Sequence, residues 1–500
     1  MVSVHRDAPA TKIETGPEDL DRRQYEAWGV IVQTSNVRAV HVANGIMQLL
    51  RLVPTRPSWD AVASGRPRAY IAELKKNHGL RPGLNAAARA LCVYKSKAGP
   101  LRLALPPPAD AAKPAKDMIE AGCAHLASLL DSAGEVGRIS EPSHRALADV
   151  LNADGKVMVE GGHDPTTPGV MFAGFSDTHT LSGMHSATLL GLLCATQAGR
   201  QALFHFYQAA RSTQDPHANL TALLGLIAKD RQDPSMDRNW PTLDPSAFEA
   251  VFPMPQGESW AHLARATGGM ALNITRRQER GATKAETLMS LVDLGLLILS
   301  TRMLRWERDE SSRRYLLAVC SPRRTTALQQ AVARAQESLR VAAAALDHEA
   351  HDENPTVSLI RSQKRKNRSG SGELEQGKKY FPSDHAINLA SAGGWLFPLD
   401  ARGGAPRYLC PGPRQLVTLV HALVPPGEEL AWPKFAEKSE GALGVSLGGA
   451  DDSLTESALR MGGVAATLRE ATTVNQQRLI SLGLARRESD NLVIVDGGAR

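Results

Sequence analysis

Apolar residues fall at helical spacing through most of this chain. His41–Leu52, Arg68–Lys76, Gly83–Tyr94, Ala115–Ser132, Pro142–Asn152, Ala187–Ala209, Leu220–Lys229 and Thr326–His348 predict helices. Trp260–Ala266 opens a further helical group, and Leu101–Leu105 reads as a short strand. Pro106–Pro108, Pro114 and the stretch Pro234–Pro255 interrupt the pattern. The expected fold is mainly α with small β-hairpins (α+β), in several domains. Residues 1–24 are polar and predict an unstructured tail. A helical domain is expected over 25–110. A larger helical domain follows over 111–348, with a compact module near 260–320. Residues 349–380, Ser/Gly-rich and charged, predict a flexible basic linker, and 381–500 a C-terminal region.

One local pattern recurs: helix, glycine stop, strand, polar turn, strand. Thr472–Gly498 shows it most clearly, with Gly483 placed as a left-handed helix cap and Leu492–Val495 as the last strand. Ala282–Val319 repeats it, with Leu294-Gly295-Leu296 matching Leu482-Gly483-Leu484. Strands are then expected at Met303–Trp306 and Tyr315–Val319. A weaker copy spans Ala386–Cys410, where a helix ends at Gly393-Gly394, and helix Arg414–Val424 follows it.

This arrangement resembles winged-helix (helix-turn-helix) domains of bacterial transcription regulators, over about Pro413–Asp496 and about 60 residues in the middle. The resemblance implies two or three such modules, in which the helix before the Leu-Gly-Leu turn enters a DNA groove and the hairpin is a wing. On the C-terminal copy, Leu479, Ile480 and Leu482 are the expected buried positions, and Thr472, Thr473, Asn475, Gln476 and Arg478 the exposed ones. Asn and Gln match adenine edges, and Arg matches guanine. Arg486 and Arg487 at the wing base are candidate phosphate contacts. In the middle copy the candidates are Lys284 and Thr287 on the helix, Arg276, Arg277 and Arg280 before it, and Arg313 and Arg314 in the turn.

Charge sharpens this picture. The chain of 500 residues carries a net +6, and both 276–324 and 361–380 hold an excess of five positive charges. Within Arg361–Arg368, five of eight residues are basic: Arg361, Lys364, Arg365, Lys366 and Arg368. Such a segment suits non-specific contact with a phosphate backbone. No aromatic residue interleaves it, so stacking on single strands is not supported. With 42% hydrophobic and 22% charged residues, the chain is neither wholly disordered nor fibrous. No run reaches the length of a membrane span, and the polar start Met1–Arg23 predicts no secretory signal. Cys92, Cys123, Cys194, Cys320 and Cys410 form no CxxC pair, which argues for reduced cysteines in a cytoplasmic protein.

Catalytic motifs are scarce. A phosphate-binding GxxxxGK[ST] loop, a GxGxxG turn after a strand and an HEXXH pair are all missing. The GxSxG string Gly444–Gly448 follows a polar stretch rather than a buried strand, and reads as a loop. His163, Asp164, Asp177, His179 and His185 are residue types that bind zinc or manganese, but their spacing matches no metal motif. The expectation is a non-enzymatic protein without a cofactor that binds double-stranded DNA. It would serve as an accessory or specificity subunit of a bacterial DNA-targeting system of defence, modification or regulation. The alternatives are a scaffold whose modules bind partner subunits, and a metal-dependent enzyme centred on 163–185.

Overall fold

The computed structural model describes residues 17–32, 37, 39–50, 52–53, 67–77, 93–95, 101–103, 183–211, 243–282, 284–304, 315–321, 328–353, 382–398, 406–448, 465–488 and 492–498. Of these residues 70% are helical, with a few short strands. The expected helices at 115–132, 142–152 and 220–229 lie outside them, as does most of 349–380.

The chain enters through α1 (Pro17–Trp28), α2 (Ala39–Leu50) and α3 (Pro67–Asn77). Helix α1 begins inside the segment expected to be an unstructured tail, and its Tyr25 and Trp28 are buried. The strands β1 (Val93–Lys95) and β2 (Leu101–Leu103) form an antiparallel pair. Val93 and Tyr94 are therefore extended, not the end of a helix from Gly83.

The helix expected over 187–209 is two helices, α4 (His185–Cys194) and α5 (Gln197–Arg211). The break follows from Thr196, whose hydroxyl oxygen accepts the amide of Gly199 and so starts a new helix. All ten residues of α4 are buried. Next come a short 3₁₀ turn capped by Asp244, then α6 (Glu258–Thr275) with its 3₁₀ extension Arg276–Arg280, then α7 (Lys284–Leu304).

Helix α7 corrects the sequence expectation. It runs unbroken through Gly295, and Met303 and Leu304 are its last residues rather than a strand. Gly295 is required by packing, not by a turn: a Cβ there would lie 2.5 and 2.7 Å from the methyls of Leu189 on α4. Gly483, by contrast, does end its helix, with φ 69°. Helix α7 is also long and apolar enough to cross a membrane over Glu286–Leu304, alone in this among the described residues. Yet 83% of that window is buried by neighbouring elements, as befits a helix apolar on every side inside a protein.

Among the described residues from α7 onward, one order of elements occurs twice. The first unit is α7, β3 (Leu316–Leu317), α8 (Gln329–Glu353), α9 (Pro382–Ala392), β4 (Leu396–Phe397) and β5 (Tyr408–Leu409). The second is α10 (Pro413–Leu423), β6 (Glu429–Ala431), α11 (Trp432–Leu443), α12 (Ala465–Ser481), β8 (Ala485–Arg487) and β9 (Val493–Asp496). A strand β7 (Val445–Ser446) is inserted after α11. The neighbour order matches as well. In the second unit β9 lies between β6 and β8, antiparallel to both. In the first, β5 pairs antiparallel with β4 and meets β3 through a bridge from Leu409 to Ala318, here parallel. The two units interlock, because β7 of the second pairs in parallel with β3 of the first.

Two features hold this arrangement together. Buried apolar side chains from Tyr25 to Val495 form one contiguous cluster. Within it lies a buried polar knot. The Asp293 carboxylate on α7 receives Arg414 at 2.8 Å and Gln415 at 3.4 Å, both from α10. Gln415 also donates to Gly393 O, and Trp395 Nε1 donates to Asp293 O at 2.8 Å. The Gly393-Gly394 stop after α9 is built around this knot. Gly394 has φ 74°, and a Cβ there would meet the Gln415 amide at 2.6 Å. Burial pushes the Asp293 carboxyl up to about 7, against the opposing pull of Arg414 and Gln415.

Two outcomes follow. Gly191→Ala is expected to destabilise by about 1–3 kcal/mol, since its Cβ would collide with the backbone carbonyl of Pro253. Gly295→Ala should cost less, because Leu189 can shift into the small apolar cavity that both residues line. Urea melts of the two variants give the order. For Asp293 the raised native value means that the folded chain keeps a proton the unfolded chain has released. Its contribution to stability therefore declines as pH rises from about 4 to about 7. Asp293→Asn should flatten that decline in the melting temperature, and an unchanged slope would refute the assignment.

Candidate nucleic-acid interface

Helix α12 and the β8–β9 hairpin form the centre of the candidate site. The inward face of α12 carries Leu468, Ala471, Asn475 and Leu479, all buried. Leu468 and Ala471 pack with Leu317, Val319, Ala331, Val332, Ala335 and Tyr408 of the first unit. Leu479 joins the main core, to which Val493 and Val495 of β9 also belong. After Ser481 the chain turns at Gly483, where Leu484 N donates to Leu479 O and Gly483 N to Ile480 O.

Asn475, an expected groove contact, is instead 1% exposed. Its Nδ2 donates to Ala318 O and Leu447 O, both at 2.9 Å, and its Oδ1 accepts Cys320 N at 2.7 Å. It thus completes the backbone hydrogen bonding where β3 and β7 run out. Thr472 is half-buried, its hydroxyl donating to Leu468 O, and Arg478 is half-buried on the side of Cys320 and Cys410. Both flank the inward stripe.

The outward face is centred on Thr473, which is exposed, with exposed Arg469 and Gln477 a turn before and after it and half-buried Gln476 alongside. Arg469 and Gln477 are absent from the sequence-based set. Counting i, i+3, i+7 and i+11 from Leu468 gives the inward stripe, and those two residues fall opposite it. On the hairpin, Arg486 is gripped by Glu429 through two contacts of 2.7 Å and by Glu488 at 3.1 Å. Arg487 is exposed, opposite Val493 on the other strand.

The other predicted contacts lie elsewhere. Arg277 is 3% exposed, and its guanidinium reaches Val424 O at 3.4 Å. Asn273 donates to Ala422 O, Lys438 to Leu423 O and Arg280 to Pro426 O. These groups cover the last carbonyls of α10 and the turn after it, where positive charge is favoured. Burial lowers Arg277 to about 10 and, with Arg277 nearby, pushes His421 down to about 3. Arg276 is exposed next to them. Thr287 is buried in α7, and Lys284 begins that helix. Arg313, Arg314, Arg361, Lys364, Arg365, Lys366 and Arg368 lie outside the described residues.

Of the candidate metal-binding residues, only His185 lies among the described residues. His185 is buried and its Nε2 lies 3.1 Å from Nε2 of buried His385 on α9. His163, Asp164, Asp177 and His179 lie outside the described residues. Among the described residues no three His, Cys, Asp or Glu side chains cluster as metal ligands. Ser446 of the GxSxG string is buried in β7 and donates to Glu440 at 2.7 Å. Cys194, Cys320 and Cys410 are buried thiols, each pushed up by burial, Cys410 to about 12.

Asn475→Ala leaves an amide and two carbonyls buried without partners, and is expected to cost about 2–4 kcal/mol. Asn475→Asp should cost at least as much at pH 7, because it turns an oxygen towards the carbonyls of Ala318 and Leu447. Denaturant melts of both variants check this.

The chain matches no protein-family model, no curated protein and no solved structure.

Proposed function

We propose that α10–β6–α11–α12–β8–β9 is a winged helix that binds duplex DNA. In this reading the protein is a non-enzymatic accessory or specificity subunit of a bacterial DNA-targeting system. The supporting observation is the outward face of α12: exposed Arg469, Thr473 and Gln477 stand on a helix whose opposite side is fixed to the core. A groove-reading helix needs such a division. The helix before β8, the three-stranded order β6–β9–β8 and the hairpin bearing Arg487 agree with it.

In this reading only the second unit reads DNA. Helix α9, the counterpart of α12 in the first unit, has Ser383, His385, Ala386, Leu389 and Ala390 buried and offers no comparable face. The first unit serves as the platform on which α12 sits. The candidates Arg277, Thr287 and Asn475 have no part in contact, and Arg486 has its charge balanced by two glutamates. Attraction to phosphate would come from Arg487 and the basic segment 361–368.

The test is binding of the full chain to a labelled random duplex over a salt series. Wild type is compared with the Lys364, Arg365, Lys366 and Arg368 to Ala variant. Affinity should fall steeply with salt. The variant should bind more weakly, with a log–log slope shallower by up to about four units. No binding at low salt overturns the proposal. The scaffold reading, which the neutralised Arg486 favours, then stands in its place.

A further inference from the structure

The chemistry of the outward face of α12 bears on which bases it would read, an inference that rests on the duplex-binding reading above. Thr473 and Gln477 are both exposed and one turn apart. The Thr473 hydroxyl donates to Arg469 O at 2.9 Å, so its hydrogen goes to its own helix. What it offers outward is its γ-methyl and an oxygen that only accepts. Gln477 presents a carbonyl and an NH₂ on one flexible stem. That donor–acceptor pair complements the N6 donor and N7 acceptor of adenine in the major groove, as a methyl complements the C5-methyl of thymine. Four helical residues rise about 6 Å, and base pairs about 3.4 Å, so the two side chains address positions one or two base pairs apart. Arg469 is exposed on this face, and on the hairpin beside it Arg486 and Arg487 stand with Glu429 and Glu488. No exposed carboxylate stands on the outward row, where Glu470 is half-buried. The uncharged polar centre suits base edges.

We infer that α12 reads adenine and thymine in the major groove, with the Gln477 amide on adenine N6 and N7 and the Thr473 methyl on a nearby thymine methyl.

The experiment is selection of the tightest sites from a random duplex library by the full chain, followed by atom-level probing of the enriched site. Replacing the key thymine by uracil removes only its methyl, and replacing the key adenine by 7-deazaadenine removes only N7. Each change is expected to weaken wild-type binding, by roughly 5-fold or more for the bidentate adenine contact. The uracil effect should vanish in Thr473→Ser and the deaza effect in Gln477→Ala. Both positions are exposed, so the variants keep the fold, and equal melting temperatures verify that. Salt-dependent binding without any enriched A·T pair overturns this inference while the duplex reading survives. Base changes that act equally on wild type and variants overturn it in the same way. Failure to bind any duplex overturns the duplex reading itself.

Discussion

The side chain of Asn475 satisfies three backbone groups where the two α-β-α-α-β-β units meet at the end of their shared strand pair. Neither β3 nor β7 is long enough to pair its own ends, and unpaired backbone groups in a dry interior are costly. A side-chain amide, with a donor and an acceptor at one tip, can complete both strands together. That geometry fixes the azimuth of α12. Once position 475 points inward, Leu468, Ala471 and Leu479 must follow it into the core, and Thr473 and Gln477 must face out. The exposed surface of the helix is thus set by a hydrogen-bonding requirement on its hidden side.

A second polar constraint fixes the units from the opposite direction. Asp293, Arg414 and Gln415 tie α7 to α10, and through Gly393 they dictate where α9 stops. Removing one partner of such a buried set leaves a charge or amide stranded, which is worse than never having had the set. The knot therefore specifies register between elements about 120 residues apart in the chain more than it adds stability. Its glycines are explained by the same geometry. Gly394 is small because the Gln415 amide fills the space where a Cβ would stand.

Much of the helical content is legible from apolar spacing alone, because helices such as α3, α8 and α10 carry one-sided patterns that solvent and core both enforce. The glycine stops at Gly393-Gly394 and Gly483 are legible for the same kind of reason, since each ends an apolar period before an extended pair. Gly295 is not, because a glycine in a helix that is apolar all round carries no signal distinguishing a stop from a close approach. The partner that decides it, Leu189, is about 100 residues away. The face of α12 is partly legible. Amino-acid type suggests Asn475 and Arg478 as readers, whereas spacing from Leu468 assigns 475 to the core. Arg277 illustrates the limit of charge counting. Its run of basic residues reads as a phosphate-binding stretch, yet its guanidinium reaches a helix-end carbonyl about 150 residues on.

The two units share an order of elements but differ in what surrounds their third helix, and that difference carries the functional argument. Helix α9 is held between α7 and α8, with Ser383 bonded to Asp347 and Ala386 O bonded to Ser300. Among the described residues helix α12 touches α8, β8 and the strand ends on one side only, and none covers Thr473 or Gln477. A helix enclosed on both sides works as a core element and cannot enter a groove about 12 Å wide. A helix seated on one side can do so without rearrangement. Under the duplex-binding reading proposed above, the first unit supplies a rigid seat with fixed strand ends, and the second presents its third helix in a single orientation. Sequence-selective contact depends on that rigidity, because readout of base edges needs side chains held in register while the phosphate contacts tolerate slack.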